Sequence, residues 1–219
     1  MNRTISLLML LAATTARAEP PLRPYEGDLM MPIPACTRLA SLSRAYELLE
    51  FWEDAGPAQW FAKDPEFDRR FRERFLADHE AAARGEFAYW LSSAEGSLAL
   101  VILLDQFPRN AFRDTPRMYD TDALARKAAS IAFAAGYDQK MPKELRKFLL
   151  LPFAHSEELA DQEKAVALAR RIGTEDLGRA EHHRDIVRRF GRFPHRNRIL
   201  GRESTFEELQ YLANGGYQG

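Results

Sequence analysis

A chain of 219 residues, 46% hydrophobic and 29% charged, can bury one sizeable core and leaves room for two small domains at most. Its net charge of −1 excludes a polycation that holds nucleic acid by charge alone, and an acidic disordered tail. One cysteine, Cys36, excludes a disulfide scaffold and multi-cysteine metal or iron–sulfur sites.

The N-terminus reads as a secretory signal. Arg3 supplies a positive start, residues 5–13 are mostly apolar, and Ala16, Arg17 and Ala18 form a small-x-small cleavage pattern. The apolar run is far short of the ~20 residues that span a bilayer. On this reading residues 1–18 are removed and the mature chain is periplasmic or exported. A start at Met30 or Met31, just ahead of the first helix, would instead leave the protein cytoplasmic. Residues 19–36 carry five prolines and read as an extended lead-in.

From residue 37 onward the apolar period is helical, so residues 37–219 are expected to form one all-α domain of about eight helices. Leu42, Ala45, Leu49 and Trp52 line a first helix. Asp64 and Pro65 open a second, with Phe67, Phe71, Phe75 and Ala82 inward and Gly85 at its end. Ser97 is expected to cap residues 98–104, which are apolar all round and therefore buried. Further helices are expected over residues 121–135, 142–151, 156–172 and 175–190. Thr205 and Glu208 form a capping-box pattern for the last, which stops at Gly215 and Gly216.

Common catalytic signatures are missing: no phosphate-binding glycine loop, no dinucleotide fingerprint, no nucleophile elbow, no His-Glu-x-x-His pair. None of the five histidines follows a glutamate by three positions, so the di-iron helical pattern is absent too. No cofactor is indicated. The strongest internal signal is a pair of similar corners. Phe107, Pro108, Arg109 and Asn110 precede Arg113 and Asp114; Phe193, Pro194, His195, Arg196 and Asn197 precede Arg202, Glu203 and Ser204. In each, the proline is expected to end the preceding helix. The corners can brace helix ends. They can also face each other and present Arg109, Arg192, Arg196 and Asn197 to an anion.

Two further features bear on chemistry. His155, Glu158 and Gln162 share one helix face, and a histidine beside a carboxylate suits acid–base work near neutral pH. Asp105 closes the apolar helix, and a buried carboxylate needs a partner, for which Arg109 and Arg192 are candidates. Residues 179–202 hold eight arginines, read mainly as a solvated basic face. Nucleic-acid binding would want a broader basic surface with stacking aromatics. His183 lies on the apolar face of its helix and reads as a core histidine.

The order of Phe51-Trp52, Trp60-Phe61, Phe67-Asp68, the run from Leu98 to Asn110, His155-Ser-Glu157 and the run from Arg189 to Asn197 is specific. With Leu200-Gly-Arg202, Ser204-Thr205 and Glu207-Glu208 after them, residues 45–213 resemble the uncharacterised bacterial family called domain of unknown function 924. The resemblance implies a tetratricopeptide-like stack of helical hairpins and carries no established activity. Members of that family commonly have an aspartate where this chain has Glu158, and they usually lack a signal-like extension.

Three functional readings follow. In the first, Asp105, Arg109, Asn110, His155, Glu158, Arg192, His195, Arg196 and Asn197 form a cluster that binds a small anionic ligand or substrate. His155 or His195, with Glu158, would act as acid or base, Asp105 would orient one of them, and the arginines would hold a carboxylate or phosphate. In the second, the domain presents a groove to a peptide or protein partner, and the corners are braces. In the third, the corners are purely structural and function lies elsewhere.

Overall fold

The structure is a computed structural model, and it describes residues 35–173 and 176–219. The signal-like segment and the proline-rich stretch up to residue 34 lie outside the described residues.

Helix α1 (Ala35–Trp60) buries Ala45, Leu48, Leu49 and Trp52, spaced to share one face. Gly56, at φ +69°, breaks its regularity, and Pro57 restarts the helix. The break turns the chain so that Trp60 stacks on Trp52, donating its indole N–H to the Trp52 carbonyl at 2.6 Å. Helix α2 (Pro65–Ala83) begins as expected: the Asp64 carboxylate accepts the N–H groups of Glu66 and Phe67. Its phenylalanines Phe67 and Phe71 stack on Phe51 of α1, and Phe75 meets that ring edge-on.

Helix α3 (Ala94–Val101) is buried except for Glu95 in its first turn. Its cap is Ser93, not Ser97: Ser93 has the extended backbone a cap requires, and its hydroxyl accepts the Gly96 N–H at 3.0 Å. Ser97 is already helical and buried, with its hydroxyl unpartnered among the described residues. Pro108 does not end this helix either. The chain passes through a π turn (Ile102–Gln106) into a short α4 (Phe107–Ala111). In α register the Pro108 ring would collide with the Leu104 carbonyl and leave it without a donor. The wider turn relieves this; Phe107 N–H reaches back to the Ile102 carbonyl.

Side chains then serve the displaced carbonyls. His79 donates to Leu103 at 2.9 Å, Thr121 to Leu104 at 2.6 Å, and Arg109 to Asp105 at 2.7 Å.

The remaining helices are α5 (Asp122–Ala134), α6 (Arg146–Ala154), α7 (Leu159–Ile172), α8 (Leu177–Phe190) and α9 (Phe206–Ala213). Helix α6 starts a turn later than expected and runs through Pro152, because Phe153 and Ala154 belong to the core and hold it helical. Gly173 and Gly191 stop α7 and α8 in the left-handed region, where other residues are strained. Helix α9 carries both halves of the capping box, Thr205 and Glu208.

Among the described residues there is no strand, so the domain is all-α. Helices α6, α7 and α8 pack in chain order, and α3 is wrapped by α1, α5 and α6. Successive packing of neighbours is compatible with tetratricopeptide-like hairpins. No helix among the described residues is long and apolar enough to cross a membrane. A second, smaller core of Ile186, Val187 and Phe193, flanked by Phe190, Tyr211 and Tyr217, lies under the second corner.

Candidate functional site

The π turn aims Asp105 into the protein, where its side chain is fully buried. Three groups surround that carboxylate. Gln106 donates to Oδ2 at 2.5 Å; His155 Nδ1 lies 2.9 Å and Arg109 Nη1 3.2 Å from Oδ1. Arg109 is also held by Asp122, through paired hydrogen bonds of 2.8 and 3.0 Å. Burial alone would push the Asp105 carboxyl up; the charge of Arg109 and the hydrogen bonds of His155 and Gln106 outweigh it and hold the carboxyl well below its usual range. Burial and the Arg109 charge push His155 down, so its imidazole is neutral at neutral pH. An ionised Asp105 accepts only, so His155 carries its proton on Nδ1. Its Nε2 is left as a bare acceptor, oriented by the carboxylate as in other histidine–carboxylate pairs.

The two corners meet here. Arg109 lies 5.8 Å and Arg196 4.7 Å from the centre of one ring, Tyr119. Each corner divides its work in the same way. The asparagine braces: Asn110 donates to Asp68, and Asn197 to Ser204 and Glu208. The following arginine braces too, Arg113 on Asp68 and Arg202 on Glu157. The arginine preceding each asparagine points to Tyr119.

Arg109 and Arg196 nonetheless differ. Arg109 has two carboxylates. Arg196 is 7% exposed and makes no side-chain hydrogen bond or ion pair among the described residues. Its guanidinium lies against Tyr119 and, at 4.5 Å, Phe193, with Nε wholly buried. Burial and the neighbouring Arg109 depress its affinity for the proton. Most other arginines of this region are matched, and Arg198 is exposed. Arg184 and Arg188 pair with Asp185, Arg188 also with Glu163, and Arg189 with Glu207.

Unpartnered atoms also gather around Phe193. His183 donates from Nδ1 to the Ala154 carbonyl at 3.2 Å, which leaves its buried Nε2 a bare acceptor. His195 Nδ1 is buried without a partner. Both imidazoles pack on Phe193 and Tyr217, and burial pushes each down to about 3. His183 thus is the core histidine its helix face implies, yet it borders the cluster.

The structure therefore brings together Asp105, Arg109, His155 and Arg196, with His195 at the edge. It does not bring in the other expected members. Glu158 is exposed at the start of α7, and its neighbour Glu157 faces inward instead, bonding Arg202 and the Phe193 N–H. Gln162 is buried away from Glu158, donating to the carbonyls of Ala154 and Ser156. Arg192 is no partner of Asp105: Glu208 holds it through bonds of 2.6 and 2.8 Å, because that carboxylate belongs to the adjacent α9 cap. Asn110 and Asn197 are committed to their braces. Tyr119, Asp122 and Tyr217 were not indicated by spacing. The one usable signal was Asp122 in the first turn of α5, close after the Arg109 corner.

Among the described residues no cluster of three or more histidine, cysteine or carboxylate side chains is arranged to hold a metal ion.

An all-α domain in which two arginine-bearing corners converge on one tyrosine is the class that this fold and site define. The chain belongs to the family of bacterial proteins of unknown function, DUF924, whose model matches residues 48–216. It is similar to a solved structure, a protein of unknown function, ATU0120, from Agrobacterium tumefaciens. That likeness has a TM-score of 0.78 and 53% identity, and covers 80% of this chain and 99% of the other. No match is found among curated proteins.

Proposed function

We propose that the domain binds a small anionic ligand at Arg196, beside a His155–Asp105 pair that acts as acid or base on it. One observation carries the reading: Arg196 is a buried cation without a counter-ion among the described residues. Such a charge costs stability unless something compensates it, and a bound anion does so. His155 and Arg109 have side chains 16% and 15% exposed, so the cluster reaches solvent at that edge. His155 Nε2 would take a proton from a bound substrate while Asp105 holds the resulting imidazolium in place.

The test is thermal unfolding of the full chain with a panel of small carboxylates and phosphates. Binding to the native state raises Tm. Wild type should be stabilised by at least one of them, and Arg196→Gln should lose the effect. If no anion moves the wild-type Tm, the reading is wrong.

A partner-binding reading has its own observation, an open groove between α1 and α2 with Phe51 and Ala55 among charged Glu50, Asp54, Arg70 and Arg74. A peptide bound there would be indifferent to Arg196→Gln. Export remains part of the proposal; a mature chain beginning at Glu19, read by mass, would establish it.

A further inference from the structure

The charge and hydrogen-bonding character of the site narrow its ligand, if the reading just given holds. Arg109 is matched by Asp105 and Asp122. Glu157 is matched by Arg202. The carboxylates of Asp122 and Glu157 and the cation of Arg109 act on Arg196 across space, while burial pushes the Tyr119 phenol up and keeps it uncharged near neutral pH. Arg196 thus has no carboxylate of its own while two carboxylates share Arg109, so the cluster as a whole is already neutral. A monoanion would neutralise Arg196. A dianion would bring a second negative charge, without a counter-ion, into a buried site beside Asp122 and Glu157.

Hydrogen bonding points the same way. A phosphoryl group presents three oxygens and is held by several donors, whereas a carboxylate presents two. The nitrogens that His155 and His183 turn from their own partners are acceptors, because each ring gives its proton elsewhere, to Asp105 and to Ala154. They repel the oxygens of either anion and supply no donor, so His155 and His183 leave the third oxygen of a phosphoryl group unsatisfied. Arg196 itself lies against two rings, Tyr119 and Phe193, so its donors are offered at the edge of the guanidinium. That planar fork matches a planar carboxylate in two parallel hydrogen bonds.

We infer that the Arg196 site selects a small monocarboxylate over a phosphoryl group.

The experiment titrates the full chain with acetate and propionate, and separately with inorganic phosphate. It is run at slightly alkaline pH, where phosphate is largely dianionic. Imidazole NMR signals of His155, His183 and His195 report occupancy. A carboxylate should bind at least about tenfold more tightly than phosphate, a ratio equal to one decade of Kd. Arg196→Gln should abolish the shifts. Arg196→Lys keeps the charge and loses the fork, so it should narrow the preference for carboxylate; it also serves if the glutamine variant does not fold. Tighter binding of phosphate, lost in either variant, overturns the selection and leaves the anion site standing. No binding by either anion, or binding unchanged by both variants, overturns the anion site and the selection with it.

Discussion

At the scale of single residues, Arg109 and Arg196 make opposite predictions. Both reach Tyr119, but one is saturated with carboxylates and the other has none. Arg109→Met would strand Asp105 and Asp122, and breaking a buried pair of this kind costs about 3–5 kcal/mol. Arg196→Met removes a buried cation that nothing else needs and keeps the aliphatic stem against Phe193. It should leave stability unchanged or raise it by about 1–2 kcal/mol, as when a residue is kept for function against stability. Urea unfolding of the two variants decides between a functional and a bracing Arg196. Equal destabilisation would make both arginines braces. The Asp105–Arg109 pair was legible in the sequence, since a carboxylate ending an apolar helix must find a partner and Arg109 is one turn on. Arg192 was as plausible by the same rule and failed, because Glu208 arrives from α9, a contact across 16 positions that no local pattern announces.

At the scale of elements, features fixed within one turn were legible. Asp64, Pro65 and the Thr205 capping box satisfy their own backbone neighbours. The π turn was not, because it depends on distant donors. Proline at position 108 states that a helical hydrogen bond is lost; it does not say that His79 and Thr121 will supply replacements from α2 and from the turn before α5. Continuity through Pro108 is what positions Asp105 and Arg109 on one rigid segment. Thr121→Val tests this, because it keeps the shape and removes the donor to the buried Leu104 carbonyl. A loss of about 1–3 kcal/mol is expected from an unsatisfied buried acceptor. If stability is unchanged, some other donor serves that carbonyl and the account of the turn fails. Thr205→Ala, an exposed cap at the start of α9, should cost about 1 kcal/mol by the same measurement. Because Glu208 of that cap also holds Arg192 and Asn197, a markedly larger loss would show that the cap and the second corner form one unit.

At the scale of the whole molecule, buried neutral histidines set a pH dependence. Burial pushes His79 down to about 4, and His183 and His195 to about 3. In the unfolded chain each titrates near 6.5. As pH falls below about 6.5, the unfolded state therefore takes up protons that the folded state refuses, and the native protein loses stability. The contribution is fully present above pH ~6.5 and is lost progressively toward pH ~3–4. Each histidine accounts for up to about 1.4 kcal/mol per pH unit in that window, so the three together approach about 4. Carboxylates held low, Asp105 and Glu208 among them, push the same way, but they begin to matter only near their own unfolded values of about 4. The interval from pH 7 to 5 consequently isolates the histidines. Urea midpoints measured across it at constant ionic strength should fall steeply, with an uptake approaching three protons from these histidines on unfolding and a further part from His155, which is also held low. Replacing His79 by Phe should reduce that uptake by about one proton, whatever its own effect on stability at neutral pH. A flat profile would mean that the imidazoles are charged in the folded state. His183 would then be a donor rather than an acceptor beside Arg196, and the hydrogen-bonding argument against phosphate there would lose its basis.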